Sequence, residues 1–354
     1  MKKAVALMLG LTLAVGSLAG CGSNTEDTQA GTQAASNEET EAASEEGGSE
    51  DALKVALCLT GAKNDMGWNQ SAYEGLELIA EEFGCEVEYT ENVQAADMVA
   101  TFTDYAANGY DVVIGHGFQF GDPALEVGEL YPDTKFICIE ADASADNVAS
   151  YVMKCEETAY LQGILAASMS ESGVIGMIGP VQGASLLKIV NGYEDGAMSV
   201  NKDIKYQVTW TNSYTDTAVA QEAAQAMIDQ GADVIGHCAN ECGTGAINAA
   251  ADAGIYATGD SYDQSSLGTQ TILTSAVYNV PQLIEAAIQD ILNGEFEGTV
   301  KQLGMAEGIV ELVYNPDMES VIPEDVRQLV DDTAASIKSG EFTVPCDTSD
   351  RQAN

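Results

Sequence analysis

The sequence predicts an α/β protein with two lobes, each built on a mostly parallel sheet. Apolar runs of strand length alternate with amphipathic helical segments from Leu53 onward, and the alternation starts again at Val174. A local echo links the two series. Residues 108–116 and 230–237 both carry a glycine after a helix, an aspartate before a strand and a histidine at its end. Because this alternation is typical of parallel sheets covered by helices on both faces, we expect two similar lobes.

The first series contains four predicted strands and three predicted helices. The strands are expected at 53–59, 87–89, 112–115 and 136–139, and the helices at 70–83, at 95–107 and from Pro123 onward. Leu76 and Phe83 share the apolar face of the first helix, and Gly84 stands where a left-handed residue commonly ends a helix. The second series has strands expected at 174–178, 206–210, 234–236 and 255–257, and helices at 186–200, 218–228 and 246–253.

Two such lobes leave a cleft between them. In open parallel sheets, ligands bind outside the carboxyl ends of the strands, where loops and helix N-termini supply hydrogen-bond donors. The loops that follow the strands therefore hold the candidate binding residues. These loops are 60–70, 116–122, 140–146, 179–188, 210–216, 237–245 and 259–264.

The first residues indicate an exported lipoprotein. Residues 1–20 have a positively charged start at Lys2 and Lys3, then an apolar stretch that is short for a membrane span. They end in Leu-Ala-Gly before Cys21, which resembles a bacterial lipobox and predicts cleavage before Cys21 and lipid attachment to its thiol. Residues 21–51 carry nine acids and no base and predict a solvated tether. We therefore expect a lipid-anchored protein on the extracytoplasmic face of the cell membrane.

Charge and missing motifs exclude several classes of function. Acidic residues outnumber basic residues 56 to 13, for a formal charge of −43. A nucleic-acid-binding protein needs a basic surface to neutralise phosphates, so we exclude that class. The chain has two histidines, no G-x-S-x-G elbow and no complete G-x-G-x-x-G fingerprint. We expect a binding protein rather than an enzyme, without a cofactor.

One segment combines residue types that bind metals. His237, Cys238, Glu241 and Cys242 include pairs spaced four apart, which one helical turn could present to zinc. The segment instead falls where a strand passes into a loop, and no partner C-x-x-C occurs elsewhere. We expect no metal here and predict that His237 and Asn240 reach the cleft as hydrogen-bonding groups.

The loop after the first strand is the richest candidate for ligand binding. Asp65, Trp68 and Asn69 stand at the mouth of the first helix. A tryptophan face stacks on aromatic ligands with about 1–3 kcal/mol in base-stacking cases. Asp65 accepts hydrogen bonds from hydroxyl or ring N–H groups, and Asn69 both donates and accepts. The structural alternative is that Asn64 or Asp65 caps the helix and Trp68 packs against it.

Residues 64–75, Asn-Asp-Met-Gly-Trp-Asn-Gln-Ser-Ala-Tyr-Glu-Gly, resemble the first-loop motif of the basic membrane protein (BMP) family, purine nucleoside receptor A type. Members of that family are lipoprotein substrate-binding components of ABC importers. Further segments fit the same family in order, namely 113–121, 131–140, 147–151, 160–163 and 259–264. The resemblance covers roughly residues 53–294.

The resemblance implies a type I periplasmic-binding-protein fold, in which two Rossmann-like lobes are joined by three hinge crossings. The first lobe is expected at 52–149 plus 276–300, and the second at 150–275 plus 301–346. It also implies a small-molecule ligand, a purine nucleoside first of all, and ABC permease subunits as partners.

The same resemblance assigns roles to individual residues. Trp68 takes the place of the phenylalanine that stacks on the base, and Asp65 and Asn69 match the polar pair of the first loop. Asp260 matches the carboxylate that holds the ribose hydroxyls. Phe118 lines the cleft, and Glu140 stands where the family usually has an aspartate.

Two departures leave the ligand open. Ile247 replaces an aromatic residue that the second lobe often supplies, and residues 274–278, Thr-Ser-Ala-Val-Tyr, lack the lysine common there. A sugar or another polyol is the alternative ligand, because one tryptophan with several Asp and Asn residues serves it equally well. A sensor that signals to a membrane partner without transport is the alternative role.

Overall fold

The computed structural model describes residues 52–65 and 67–351. The expected signal peptide, Cys21 and the tether lie outside the described residues. In chain order, the helices and strands are β1 (Lys54–Leu59), α1 (Trp68–Phe83), β2 (Glu86–Thr90), α2 (Met98–Ala107), β3 (Val112–His116), α3 (Gly121–Gly128), β4 (Lys135–Ile139), β5 (Val148–Met153), α4 (Cys155–Met169), β6 (Val174–Gly179), α5 (Ala184–Val200), β7 (Lys205–Trp210), α6 (Thr217–Asp229), β8 (Val234–His237), α7 (Thr244–Ala253), β9 (Tyr256–Gly259), β10 (Ile272–Tyr278), α8 (Val280–Leu292), β11 (Val300–Leu303), β12 (Val310–Tyr314) and α9 (Glu324–Lys338).

The strands form two six-stranded sheets, one in each lobe. The first has the order β11-β5-β4-β3-β1-β2 and is parallel throughout. The second has the order β12-β10-β9-β8-β6-β7 and is parallel except where β12 pairs with β10. The predicted fold class, two α/β lobes with parallel sheets, is confirmed.

The chain passes between the two sheets three times. The crossings follow Met153 at the end of β5, Tyr278 at the end of β10 and Leu303 at the end of β11. The sequence placed these boundaries a little earlier, near residues 149, 275 and 300. The strands run further because they stay paired to their last residues, with Met153 opposite Leu303 and Tyr278 opposite Val310.

The carboxyl ends of the strands are held in place by buried cores on both sides of each sheet. Every residue of β3 and β6 is buried, as expected for strands covered on both faces. In the second lobe, α4 and α5 pack closely enough that Gly163 and Gly196 leave no room for a Cβ against the backbone of the facing helix. This close packing holds α4 against α5, and residues near the start of both helices line the cavity between the lobes.

Within the described part of the chain, no helix combines the length and the apolar character that a membrane span requires.

Candidate ligand-binding site

A cavity of about 600 Å³ lies between the two lobes. The first lobe lines it with the residues that follow β3 and β4, including Phe118 and Glu140, and with Met153 at the end of β5. The second lobe contributes the first turns of α4 and α5, with Glu156 and Lys188. Cavities of this size bind small molecules, and this one lies where parallel sheets place their ligands.

Glu140 and Lys188 form a buried ion pair at the first crossing. Glu140 Oε2 lies 3.1 Å from Lys188 Nζ, and the side chains are 8% and 4% exposed. Glu140 Oε1 accepts a hydrogen bond from Met153 N at 2.6 Å, and Lys188 Nζ donates to Met153 O at 2.6 Å. The two charges therefore hold both polar groups of the last residue of β5.

The electrostatics of this pair are consistent with a charged lysine. Burial alone would lower the pKa of Lys188, but the acidic groups around it, Glu140 first among them, outweigh burial and raise that pKa above its ordinary value. Glu140 has a positive φ of 60°. This left-handed backbone costs energy for a non-glycine residue, and such strain is found at functional positions.

The first loop holds the start of α1. Asp65 Oδ1 accepts hydrogen bonds from Gly67 N and Gln70 N, both at 3.0 Å. Its Oδ2 accepts from Asn69 N at 3.1 Å and from Asn69 Nδ2 at 2.8 Å. Asn69 Oδ1 in turn accepts from Gly61 N at 3.2 Å. The structure therefore shows the capping alternative for Asp65, and both side chains are occupied by the loop itself.

Trp68 stacks on His116. The ring centroids are 3.9 Å apart with an interplanar angle of 23°, and His116 Nε2 lies 2.9 Å from Trp68 O. Burial lowers the pKa of His116 to about 3, so the imidazole is neutral at physiological pH. Trp68 lines a separate cavity of about 310 Å³, to which the second lobe contributes Tyr262 and Tyr278.

Asp260 belongs to a buried polar cluster in the second lobe. Its carboxylate accepts hydrogen bonds from Tyr278 OH at 2.6 Å and from Ser261 Oγ at 2.8 Å. Gln264 Oε1 accepts from Asp260 N at 3.0 Å and lies 2.9 Å from His237 Nε2. Burial raises the pKa of Asp260 and lowers that of His237. Tyr278, the last residue of the run 274–278 in which the resemblance expects a lysine, thus supplies a donor to Asp260.

Asn240 brings the two lobes together. A Cβ built on Gly67 of the first lobe would lie 2.5 Å from Asn240 Oδ1 of the second, so a side chain at residue 67 would displace the Asn240 side chain. Asn240 adopts a positive φ of 50°, which asparagine tolerates better than most residues. The cleft is therefore closed between Gly67 and Asn240.

The structure distributes the predicted site residues over three places. Phe118, which is 44% exposed, and Glu140 line the large cavity, and Trp68 lines the smaller one. The others are absent from the linings of both cavities and take part in hydrogen bonds or close contacts. They are Asp65, Asn69, His237, Asn240 and Asp260.

Sequence reasoning missed Glu156 and Lys188. Lys188 falls in the flagged loop 179–188, so its place near the cleft could have been found. Glu156 sits in a helix beside another glutamate, and nothing in the sequence distinguishes the two.

The segment with metal-binding residue types is occupied by hydrogen bonds. Besides the contact between His237 and Gln264, Cys242 Sγ donates to Asp216 O at 3.0 Å, and Cys238 is buried. Over residues 52–65 and 67–351, no group of three or more His, Cys, Asp or Glu side chains is arranged to hold a metal ion.

Two mostly parallel sheets, three crossings and a cavity at the facing carboxyl ends define a two-lobed solute-binding protein of the periplasmic-binding type. The chain belongs to the Bmp family, described as ABC transporter substrate-binding protein PnrA-like, which matches residues 52–348. The resemblance inferred from the sequence motifs is confirmed.

Relatives of known name are consistent with this assignment. The chain is 35% identical to a purine-binding protein of Brucella abortus (strain 2308) over 303 residues, which are 84% of this chain and 85% of the relative. It is 30% identical to the transcriptional activator protein med of Bacillus subtilis (strain 168) over 279 residues, 78% of this chain and 87% of that protein. The solved structure of an ABC transporter solute-binding protein from Aeropyrum pernix K1 matches with a TM-score of 0.73 at 26% identity, covering 83% of this chain and 94% of that chain.

The family consists of solute-binding proteins, not enzymes. ABC substrate-binding proteins work outside the cytoplasm, where they present a small molecule to permease subunits. The expectation of a binding protein rather than an enzyme is confirmed at this level.

Proposed function

We propose that this chain captures a purine nucleoside or a related small molecule between its lobes and delivers it to an ABC permease, while a lipid on Cys21 anchors it outside the cell. The observation that carries the proposal is the cavity of about 600 Å³ at the facing carboxyl ends of the two sheets. The purine-binding relative, which aligns over most of both chains, favours this class of ligand.

The lining suits a nucleoside. Phe118 offers an exposed aromatic face inside the large cavity, and Trp68 offers a second aromatic side chain at the neighbouring cavity. Glu140, a carboxylate of the large cavity's lining, accepts hydrogen bonds from hydroxyl and ring N–H groups. In this mechanism the lobes separate about the three crossings, admit the ligand and close again, with Asn240 meeting Gly67.

A thermal-shift panel tests the ligand class. The full-length protein, purified in detergent, is heated with adenosine, guanosine, inosine, free bases and sugars. A ligand that binds only the folded state at a hundredfold excess over its Kd stabilises it by about 2.7 kcal/mol. A rise in the midpoint with a purine nucleoside supports the proposal. Rises with sugars alone reject the nucleoside and keep a solute-binding role.

The two aromatic candidates are tested with the same panel. We expect Phe118→Ala and Trp68→Ala each to reduce the nucleoside-dependent rise, because base–aromatic stacking contributes about 1–3 kcal/mol. If only one variant reduces it, that residue is the stacking partner. If neither does, the ligand stacks on no aromatic side chain of this cleft and the assignment of both residues fails.

The lipid anchor is tested separately. Cys21→Ala removes the thiol that would carry the lipid, so we expect the protein to leave the membrane fraction and appear in the soluble extracytoplasmic fraction. Unchanged membrane association in this variant contradicts the anchor.

A sensory role is the second candidate function. The similarity to a protein named as a transcriptional activator favours it. Deleting the gene distinguishes the roles, because loss of nucleoside uptake supports transport, whereas unchanged uptake with altered gene expression supports sensing.

A further inference from the structure

One wall of the interlobe cavity carries a buried carboxylate oxygen without a partner. Glu156 is the second residue of α4, is 4% exposed and lines the large cavity. Its Oε2 atom has no hydrogen-bond partner among the described residues. A buried charged oxygen that stays unpaired costs free energy, so its retention beside a cavity suggests a partner that arrives with the ligand.

The adjacent residue provides an internal comparison. Glu157 is also buried, at 8% exposed, but its Oε2 accepts a hydrogen bond from Met305 N at 2.7 Å, just after the third crossing. The two neighbouring glutamates of this helical turn thus differ in their surroundings, because Glu156 lines the large cavity and Glu157 does not. Glu157 is satisfied by the backbone of its own protein, whereas Glu156 presents a free oxygen at the cavity.

Three titratable groups face Glu156, each from a different part of the fold. From α5, Lys188 approaches, but its ammonium already bonds Glu140 Oε2 and Met153 O. From the loop after β4 comes Glu140, and from the C-terminal segment comes the neutral thiol of Cys346, which interacts with the Glu156 carboxyl through a side-chain hydrogen bond and leaves the Oε2 atom without a partner. Burial raises the pKa of Cys346, so this thiol is neutral at physiological pH.

The remaining charges of the lining are negative. Asp122 and Asp142, both exposed, bring the number of carboxylates in the lining to four, with Glu140 and Glu156. The lining has one ammonium group, that of Lys188. A ligand group that donates hydrogen bonds gains from this surplus of acceptors, whereas a phosphate or carboxylate on the ligand is repelled.

We propose that Glu156 is a specificity-determining residue of the interlobe site. Its Oε2 atom accepts a hydrogen bond from an amino or hydroxyl group of the ligand. The surrounding carboxylates of the lining repel phosphorylated analogues. The inference rests on the proposed function only for the place of binding, because it specifies the charge of the ligand and not its identity.

Matched ligand pairs test the inference on the full-length protein. Titration calorimetry compares adenosine with adenosine 5′-monophosphate, with purine riboside, which lacks the amino group, and with adenine, which lacks the ribose. A second set compares glucose with glucosamine and glucose 6-phosphate. If nucleosides fail and sugars bind, the proposed ligand class falls while the charge preference is still measured on the sugar set.

We expect the wild-type protein to bind the unphosphorylated ligand at least about tenfold more tightly than its phosphate. Glu156→Gln should reduce that ratio about tenfold, and Glu157→Gln should leave it unchanged. Affinities are compared with that of adenosine. A larger loss with purine riboside shows that the donor is the amino group, and a larger loss with adenine shows that it is the ribose. Equal binding of the phosphate by wild type, or an unchanged ratio in Glu156→Gln, overturns the inference.

A ligand-free measurement decides the case in which nothing in either set binds. Glu156→Gln should raise the thermal midpoint at neutral pH because it removes an unpaired buried charge, whereas Glu157→Ala should lower it because it removes the acceptor of the Met305 N–H. Burial raises the pKa of the Glu156 carboxyl above its ordinary value of 4.5. The free-energy cost of ionising this carboxyl in the folded state therefore grows as pH rises above that value, and the gain in midpoint from Glu156→Gln should grow with it. A midpoint lowered equally in both variants shows that Glu156 is structural and overturns the inference.

Discussion

Asp65 fixes the start of α1 through four hydrogen bonds, from Gly67, Gln70 and two donors of Asn69. These bonds satisfy backbone N–H groups that a helix N-terminus would otherwise leave without partners. They also set the direction of Trp68, the first residue of α1, toward His116. At the scale of single residues, the first loop is thus organised by one carboxylate.

Replacing Asp65 should therefore lower stability before any ligand is considered. We expect Asp65→Ala to reduce the free energy of unfolding by about 0.5–2 kcal/mol, the range measured for lost helix caps. Asp97, which precedes α2 without a side-chain capping bond, is the matched control, and Asp97→Ala should change little. Urea denaturation measures both variants. Equal effects at the two positions would show that the hydrogen bonds of Asp65 do not stabilise the helix.

His116 should make stability depend on pH. Burial lowers the pKa of His116 to about 3 in the folded state, whereas its ordinary value is 6.5. The unfolded chain therefore binds more protons between these values, and the contribution of neutral His116, complete above the ordinary value, is lost as pH falls toward about 3. We expect the midpoint of wild type to fall more steeply than that of His116→Gln as pH drops below neutral. Parallel pH profiles would contradict a buried neutral imidazole.

At the scale of elements, the first crossing is held by charges from both lobes. Glu140, after β4, and Lys188, on α5, each bond the backbone of Met153 and each other. A buried pair of this kind is weak evidence of net stability, but breaking it leaves a buried charge without compensation. The angle between the lobes at β5 therefore depends on both side chains.

Lys188→Met should destabilise the protein by about 3–5 kcal/mol, because it leaves the buried carboxylate of Glu140 without a compensating charge. The double variant Glu140→Gln/Lys188→Met should recover part of that loss, giving a coupling energy of about 1–3 kcal/mol. The exposed pair of Arg327 and Glu319 is the control, and Arg327→Met should cost at most about 1 kcal/mol. Additive effects of the two cleft substitutions in urea denaturation would show that the pair does not act as a unit.

The order of elements could be predicted because strands and helices have different apolar periods, and glycines such as Gly84 mark helix ends. The crossings were placed a few residues early because pairing between Met153 and Leu303 depends on a partner strand far away in the chain. In the same way, the carboxylate of Asp65 suits both a helix cap and a ligand contact. Only the positions of Gln70 and Asn69 around it decide what its oxygens bond.

At the scale of the whole molecule, two lobes meet across a cavity of about 600 Å³ and touch directly where Asn240 reaches Gly67. This arrangement couples ligand capture to the angle between the lobes, since a side chain on Gly67 or a change at a crossing alters how the cleft closes. Under the proposed function, the surface that a permease meets depends on whether the cleft holds a ligand.

The most direct measurement is titration calorimetry of the full-length protein with adenosine, guanosine and inosine. The account predicts a saturable, one-to-one isotherm for at least one of them, weakened by replacement of an aromatic residue of the cleft, Phe118 or Trp68. No heat of binding with any purine nucleoside, in a protein whose cooperative thermal unfolding shows that it is folded, would contradict the central claim.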